Sequence, residues 1–107
     1  MLDAQAIATQ FASSLLGKLG KVPPVYRDLA DQARRAAVSI PLNIAEASGR
    51  TGKDRSHHFR IAYGSAQETS VALQLLTAVG VVTPADEALL LGLLDRVKAM
   101  CWRLAGR

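Results

Sequence analysis

The chain lacks several features that would assign it to a common class of small protein. Its only cysteine is Cys101, so no disulfide can form within the chain and a disulfide-stapled secreted module is excluded. Aromatic residues make up only 5% of the 107 residues, and there are four prolines. Half of the residues are nevertheless hydrophobic, which excludes a disordered chain, because such a composition buries enough surface to offset the entropy lost on ordering. Most of this apolar content is alanine and leucine, which favour helices.

Long hydrophobic runs are also absent. The longest, residues 88–94, is about a third of a membrane span, and the first residues have neither the positive stretch nor the apolar core of a secretory signal peptide. We therefore expect one domain over residues 1–107, in the cytoplasm and without a membrane partner. The formal charge is +4, from 13 Lys and Arg against 9 Asp and Glu. This balance suits an anionic partner but equally a merely soluble domain.

Apolar residues recur at helical spacing in four segments of the chain. The predicted helices cover residues 3–17, 24–48, 53–79 and 84–104. Gly49 is a natural end for the second helix, and Thr83 followed by Pro84 is typical of a helix start. Because the connections are short, the sequence predicts an all-α fold, an antiparallel up-down-up-down four-helix bundle. The second and third helices are long for so short a chain, which favours additional burial through self-association.

The second predicted helix carries a polar stripe between two apolar ones. At 100° per residue, the members of this stripe fall within about 40° of one line: Gln32, Arg35, Ser39, Asn43, Glu46 and Arg50. Since apolar residues flank the stripe on both sides, we expect it to be partly buried and to need polar partners. In an antiparallel hairpin, Ser65 and Glu68 of the third helix face it. The sequence predicts that the stripe members from Gln32 to Glu46 form a structural polar network with Ser65 and Glu68. This network includes an Arg35–Glu68 ion pair, and Glu46 is expected beside Arg55.

The same stripe raises the alternative of acid–base catalysis, because Glu46 and Glu68 could act as a pair of carboxylates. The sequence has no nucleophile elbow, no Gly-rich phosphate loop and no Glu-x-x-His motif of a di-iron bundle. His57 and His58 are adjacent, so on one helix they point about 100° apart and do not make a two-ligand metal site. We therefore expect no enzyme activity, no catalytic residue, no metal and no cofactor. Cys101 lies on the apolar stripe of the fourth helix and is expected in the core.

Positive charge collects at one connection of the chain. Around the turn between the second and third helices lie Arg50, Lys53, Arg55, His57 and Arg60. Lys18 and Lys21 lie in the connection after the first helix, at the opposite end of an up-down bundle. We interpret these residues as candidate nucleic-acid contacts, which would bind phosphates with a steep salt dependence. The alternative is a basic end that is simply solvated, and nothing in the sequence predicts base-specific recognition.

Residues 32–50 resemble the hallmark of a known family. They contain the pattern Gln-x-x-Arg-Ala-Ala-x-Ser-Ile-Pro-x-Asn-Ile-Ala-Glu-x-x-Gly-Arg, which is similar to that of bacterial four-helix-bundle proteins linked to intervening sequences in large-subunit ribosomal RNA genes. A second stretch matches in outline through Phe59, Ile61, Ala62, Gly64, Ser65, Glu68, Leu73 and Gly80. The chain departs from the family at Ala47, where glycine is usual, and at Thr69, where leucine is usual.

The resemblance implies a bundle that assembles into a ring, typically a homopentamer. It also implies similarity to the accessory variability determinant proteins of diversity-generating retroelements, which are basic pentamers that bind nucleic acid and partner with a reverse transcriptase. Candidate interface residues on the second and fourth helices are Val38, Leu42, Leu91 and Trp102. For Trp102 the alternative is a partly covered surface side chain in a monomer.

Two functions from different classes therefore stay open. The favoured one is a non-enzymatic homo-oligomeric scaffold that binds RNA or DNA through basic patches, as an accessory to RNA processing or reverse transcription. The alternative is a protein-interaction module without affinity for nucleic acid.

Overall fold

The computed structural model describes residues 3–106, which form helices and no strand. The elements are α1 (Asp3–Lys18), α2 (Arg27–Ser48), α3 (Gly52–Ala78) and α4 (Pro84–Leu104), with a short 3₁₀ helix, Pro24–Tyr26, before α2. The predicted all-α class is confirmed. Within the described residues, no helix combines the length and the hydropathy that a transmembrane segment requires. Met1, Leu2 and Arg107, which belong to the predicted domain, lie outside the described residues.

Local signals in the sequence set the helix boundaries. Thr83 caps α4, because its Oγ1 accepts a hydrogen bond of 3.1 Å from the backbone N–H of Asp86. Pro84 occupies the first helical position, where its missing N–H has no intrahelical partner to lose. The start of α2 differs from the prediction. Tyr26 has φ −107° and ψ 12°, so the turn at Pro24 is 3₁₀ and regular α-helix begins only at Arg27.

The turn between α2 and α3 spans only residues 49–51. Gly49 ends α2, with its N–H donating to the Glu46 carbonyl at 3.2 Å. Gly52 has φ +59°, in the left-handed region that glycine adopts without steric cost. The third helix begins there, one residue before its predicted start. Because the turn is so short, the end of α2 and the start of α3 lie side by side.

The helices pack around an apolar core. The first helix contacts α2 and α4, and α3 contacts the same two helices. The bundle measures 43 × 23 × 21 Å along its principal axes. Every helix contributes to the largest fully buried side chains, which include Phe11, Leu15, Ile40, Ile44, Phe59, Leu73, Leu76, Leu94 and Val97. Buried alanines of α2 line the same core, and their small side chains let the neighbouring helices approach closely.

Cys101 is buried among these apolar side chains, which confirms its predicted place in the core. Burial raises the pKa of its thiol from 9.0 to about 11, because a thiolate would be poorly solvated there. The side chain therefore stays a neutral thiol near neutral pH and acts as a small apolar residue.

Candidate nucleic-acid interface and the polar seam beside it

Four polar side chains are hydrogen bonded in series where α2 meets α3, and they are termed the polar seam: Ser39, Asn43, His58 and Ser65. The two serine hydroxyls lie 2.8 Å apart. The Asn43 amide nitrogen donates to the Ser39 hydroxyl at 3.0 Å and to the Ser39 carbonyl at 2.9 Å. Asn43 Oδ1 lies 3.1 Å from Nδ1 of His58, so this ring nitrogen carries the hydrogen, because an amide oxygen only accepts. All four residues are half-buried, and these bonds offset the cost of their burial.

The seam holds only part of the predicted polar network. The structure brings Ser39, Asn43 and Ser65 together, whereas the other four predicted members, Gln32, Arg35, Glu46 and Glu68, are exposed. The predicted Arg35–Glu68 ion pair was wrong, since neither side chain forms an ion pair or hydrogen bond within residues 3–106. Glu46 pairs with Arg50 at 3.1 Å and not with Arg55. These charged groups stay in solvent because burial would cost more free energy of hydration than an ion pair with one partner would restore.

The predicted network omits two residues that the structure adds. His58 lies seven residues before Ser65, hence on the same face of α3, and this spacing was the available signal. Thr69 is fully buried, and its hydroxyl donates to the Ser65 carbonyl at 2.6 Å. Because the helix backbone satisfies that hydroxyl, threonine fits a site otherwise suited to an apolar side chain.

Asn43→Ala is expected to lower the free energy of unfolding by about 1–3 kcal/mol, because it leaves the ring N–H of His58 without its acceptor in a half-buried site. Gln32→Ala is the matched control on α2. Gln32 is exposed and its side chain makes no hydrogen bond within the described residues, so the loss of that side chain should change the free energy of unfolding by less than about 0.5 kcal/mol. Urea unfolding followed by circular dichroism measures both. Equal effects would mean that the seam adds nothing specific to stability.

Several of the predicted nucleic-acid contacts are engaged within the chain. Arg50 forms ion pairs with Glu46 at 3.1 Å and with Asp54 at 3.6 Å. Lys18 pairs with Asp86 of α4 at 3.5 Å. These local carboxylates partly neutralise both cations, so each contributes less to the attraction of an external anion.

Arg55 is also engaged within the bundle. It is half-buried and donates to the Ala47 carbonyl at 3.3 Å. Its guanidinium carbon lies 4.9 Å from the centroid of the Phe59 ring, which is a cation–π contact. Arg55 therefore links the start of α3 to the end of α2, and its side chain is not free to follow a ligand.

Three basic side chains remain on one face of α3, and they are termed the basic stripe: Lys53, His57 and Arg60. All three are exposed, and none forms an ion pair or a side-chain hydrogen bond within the described part of the chain. Their spacing of four and then three residues places them on consecutive turns of the helix. Lys21 is likewise exposed, but it precedes α2 while the stripe follows it. About 33 Å of helix separates the two, so they do not form one patch.

The two adjacent histidines face different surroundings. His57 belongs to the basic stripe and His58 to the polar seam, and their ring centroids lie 5.6 Å apart in an edge-on contact. Among residues 3–106 no group of three His, Cys, Asp or Glu side chains could hold a metal ion. The pair thus joins the seam to the stripe at the start of α3.

The four predicted interface residues differ in exposure. Leu42 is 60% exposed and Trp102 43%, while Val38 is half-buried. Leu91 is half-buried as well, and it packs against the core. Trp102 contacts Tyr63 of α3, with ring centroids 5.3 Å apart. Sequence reasoning missed other exposed hydrophobic side chains, because their helical spacing resembles that of core residues: Val71, Leu75 and Leu89.

Comparison with known proteins connects this geometry to a family. The family model described as 23S rRNA-intervening sequence protein matches residues 4–103. The matched region contains both the polar seam and the basic stripe. A search of curated proteins finds no match.

Proposed function

Because the chain belongs to the 23S rRNA-intervening sequence protein family, we propose that it is a non-enzymatic cytoplasmic scaffold that self-associates and binds RNA. The observation that carries the proposal is the basic stripe, in which Lys53, His57 and Arg60 share one exposed face of α3 and have no acidic partner in residues 3–106. The family's name refers to an intervening sequence of 23S rRNA, and for that reason RNA is the nucleic acid we favour over DNA.

Phosphate groups are the chemical partner that suits the basic stripe. Lysine and arginine donate charge-assisted hydrogen bonds to phosphate oxygens, and such contacts position a nucleic acid without identifying its bases. The stripe begins in the first turn of α3, where backbone N–H groups lack intrahelical acceptors and Thr51 supplies no side-chain cap. Binding of this kind is independent of sequence and weakens as salt concentration rises.

Self-association would strengthen RNA binding by the basic stripe, which has only three basic side chains in one copy. We propose that the four helices alternate in direction and that the bundles form a ring, with five copies as the resemblance implies. The order of contacts between α2 and α3 supports the alternation, since Ser39 meets Ser65 whereas Ala47, further along α2, meets Arg55. A ring repeats the basic stripe around its axis, and several stripes on one RNA raise the overall affinity.

The two glutamates considered for acid–base catalysis support a scaffold rather than an enzyme. Glu46 is exposed and held in an ion pair by Arg50. Glu68 is exposed at the edge of an open groove between α2 and α3. Neither position excludes water from a reacting group, as a general acid or base usually requires.

For the biological setting, we propose an accessory role in RNA processing or reverse transcription, with a reverse transcriptase as protein partner in the second case. The neighbouring genes test this setting directly. An insertion in a 23S rRNA gene, or a reverse-transcriptase gene beside a variable repeat, would support it. A neighbourhood with neither would contradict it without affecting the proposed binding.

The purified protein is expected to bind an RNA hairpin with an affinity that falls steeply with salt. If Lys53 and Arg60 each contact one phosphate group, a plot of log Kobs against log salt concentration should have a slope of about −2 for each contacting subunit. Fluorescence anisotropy at a series of salt concentrations gives the slope, and a DNA duplex serves as the comparison. No binding at low salt, or a slope near zero, would contradict the proposal.

The second candidate function is a protein-interaction module without affinity for nucleic acid. Exposed hydrophobic side chains such as Leu42, Val71 and Leu89 favour it, because apolar surface often marks a contact with another protein. This candidate predicts stable assemblies but no RNA binding even at low salt. The same titration therefore separates the two functions.

A further inference from the structure

Arg35 of α2 and Glu68 of α3 are exposed charges of opposite sign without a partner in residues 3–106. Each lies beside apolar surface. Arg35 borders an open groove together with Val38 and Leu42, and Glu68 borders a second groove together with Leu75. Charges beside exposed hydrophobic side chains have the composition of a protein interface, with an apolar centre and a polar rim.

Arg35 and Glu68 lie at nearly the same height along the bundle. The Ser39–Ser65 contact fixes the register of α2 against α3. From that contact Arg35 lies four residues back along α2, and Glu68 lies three residues forward along α3. In the antiparallel arrangement proposed above, both steps go the same way, by about 6 and 4.5 Å. A rotation about an axis parallel to the bundle preserves height, so it can bring Arg35 of one copy to Glu68 of the next.

Gly64, on the same side of α3, gives independent support for a contact with another helix. It lies within the helix, it is exposed, and a Cβ placed on it would meet no atom within 4 Å. No neighbouring atom within residues 3–106 requires a glycine there, although glycine destabilises a helix relative to alanine. A position without a side chain lets another helix approach closely. Gly64 precedes Glu68 by four residues, so the two lie on one face.

We propose, resting on the self-association proposed above, that the outer α2 face of one copy packs against the outer α3 face of the next copy. The outer α2 face consists of Arg35, Val38 and Leu42, and the outer α3 face of Gly64, Glu68 and Leu75. Arg35 pairs with Glu68 across the contact, and the apolar side chains of α2 pack over Gly64. Because the two faces differ, each copy uses one face toward each neighbour, and the contact repeats around a closed ring.

The basic stripe lies on the same side of α3 as the contact but nearer the start of the helix. At 100° per residue, His57 points about 20° away from Glu68, and Arg60 precedes Gly64 by one turn. Lys53 and His57 precede Gly64 by about three and two turns. Helices that pack at an angle diverge on either side of their closest point, so the contact leaves Lys53 and His57 accessible. Charge reversal at Lys53 should therefore leave the oligomer intact, and the contact also leaves Leu91 and Trp102 of α4 outside it.

Exchange of the two charges tests the contact. Arg35→Glu and Glu68→Arg alone are each expected to weaken the association between subunits about 10-fold or more, because like charges then face each other. The double variant should restore the mass of the wild-type oligomer in light scattering after size exclusion. Arg96→Glu makes the same change of charge at an exposed site of α4 and should leave the mass unchanged. A double variant that stays dissociated would overturn the Arg35–Glu68 pair.

Gly64→Leu separates association from folding. Leucine favours helix more than glycine, so the subunit should unfold at no lower temperature while the oligomer dissociates. Gly92→Leu is the matched control, because Gly92 is also exposed within a helix and has no atom near its missing Cβ. An oligomeric wild type whose mass is unchanged in every variant would overturn this contact and leave self-association standing. A wild type that is monomeric at tens of micromolar would overturn both.

Discussion

Phe59→Ala is expected to lower the free energy of unfolding by about 3–5 kcal/mol. Phe59 is fully buried and belongs to the apolar core. Removing its ring loses the free energy of transfer from water and leaves a cavity that the packed helices fill only in part. The ring also holds the guanidinium of Arg55, which in turn bonds to the Ala47 carbonyl. One substitution therefore weakens both the core and the junction between α2 and α3.

Urea unfolding at one fixed protein concentration measures this effect, because association would make the midpoint depend on concentration. A domain of this size has a total stability of about 5–15 kcal/mol, so the variant should stay folded in the cold. Phe59→Leu, which keeps most of the volume, should cost about 1–2 kcal/mol. Leu89→Ala, at a residue 72% exposed, should cost less than about 0.5 kcal/mol. An equal loss in Phe59→Ala and Leu89→Ala would contradict this core.

The helices could be predicted closely because their ends are encoded locally. Thr83 and Pro84 mark the start of α4 through a hydrogen bond and a missing donor, both within one turn of the chain. The start of α2 was less predictable. A Pro-Pro pair suits either a 3₁₀ or an α-helical turn, and the backbone angles of Tyr26 decide between them only in the folded chain.

The polar seam was only partly predictable, because helical spacing gives the direction of a side chain but not the line along which two helices touch. Ser39 and Asn43 lie on that line, whereas Arg35 lies slightly to one side and reaches solvent. His57 and His58 are adjacent and point about 100° apart on the helix, so helical spacing alone does not show which of the two faces α2. Only the packing of α3 on α2 places His58 against Asn43 and leaves His57 exposed.

The extent of the basic surface could not be predicted from the number of charged residues, because it depends on which basic side chains make contacts within the chain. The sequence groups five basic residues at the α2–α3 turn, but Arg50 is paired with Glu46 and Asp54. Arg55 lies over an aromatic ring. The basic surface available at this turn is therefore smaller than predicted and confined to one face of α3.

Reversal of the basic stripe is the second large effect that we expect. Lys53→Glu/Arg60→Glu should weaken RNA binding about 10-fold or more near physiological salt, because two phosphate contacts per subunit become repulsive. The slope of log Kobs against log salt concentration should become shallower by about 1 for each cation lost. The matched control, Arg27→Glu/Arg96→Glu, makes the same change in net charge at exposed residues away from the stripe.

The most direct test of the proposed function is the affinity for one RNA hairpin of these two double variants, measured at the same salt concentration and in oligomers of verified mass. We predict that Lys53→Glu/Arg60→Glu binds about 10-fold or more weakly than the wild type, while Arg27→Glu/Arg96→Glu binds nearly as well as the wild type. Equal losses in both variants would mean that only net charge attracts the RNA. No loss in Lys53→Glu/Arg60→Glu would contradict the assignment of the basic stripe as the phosphate-binding surface.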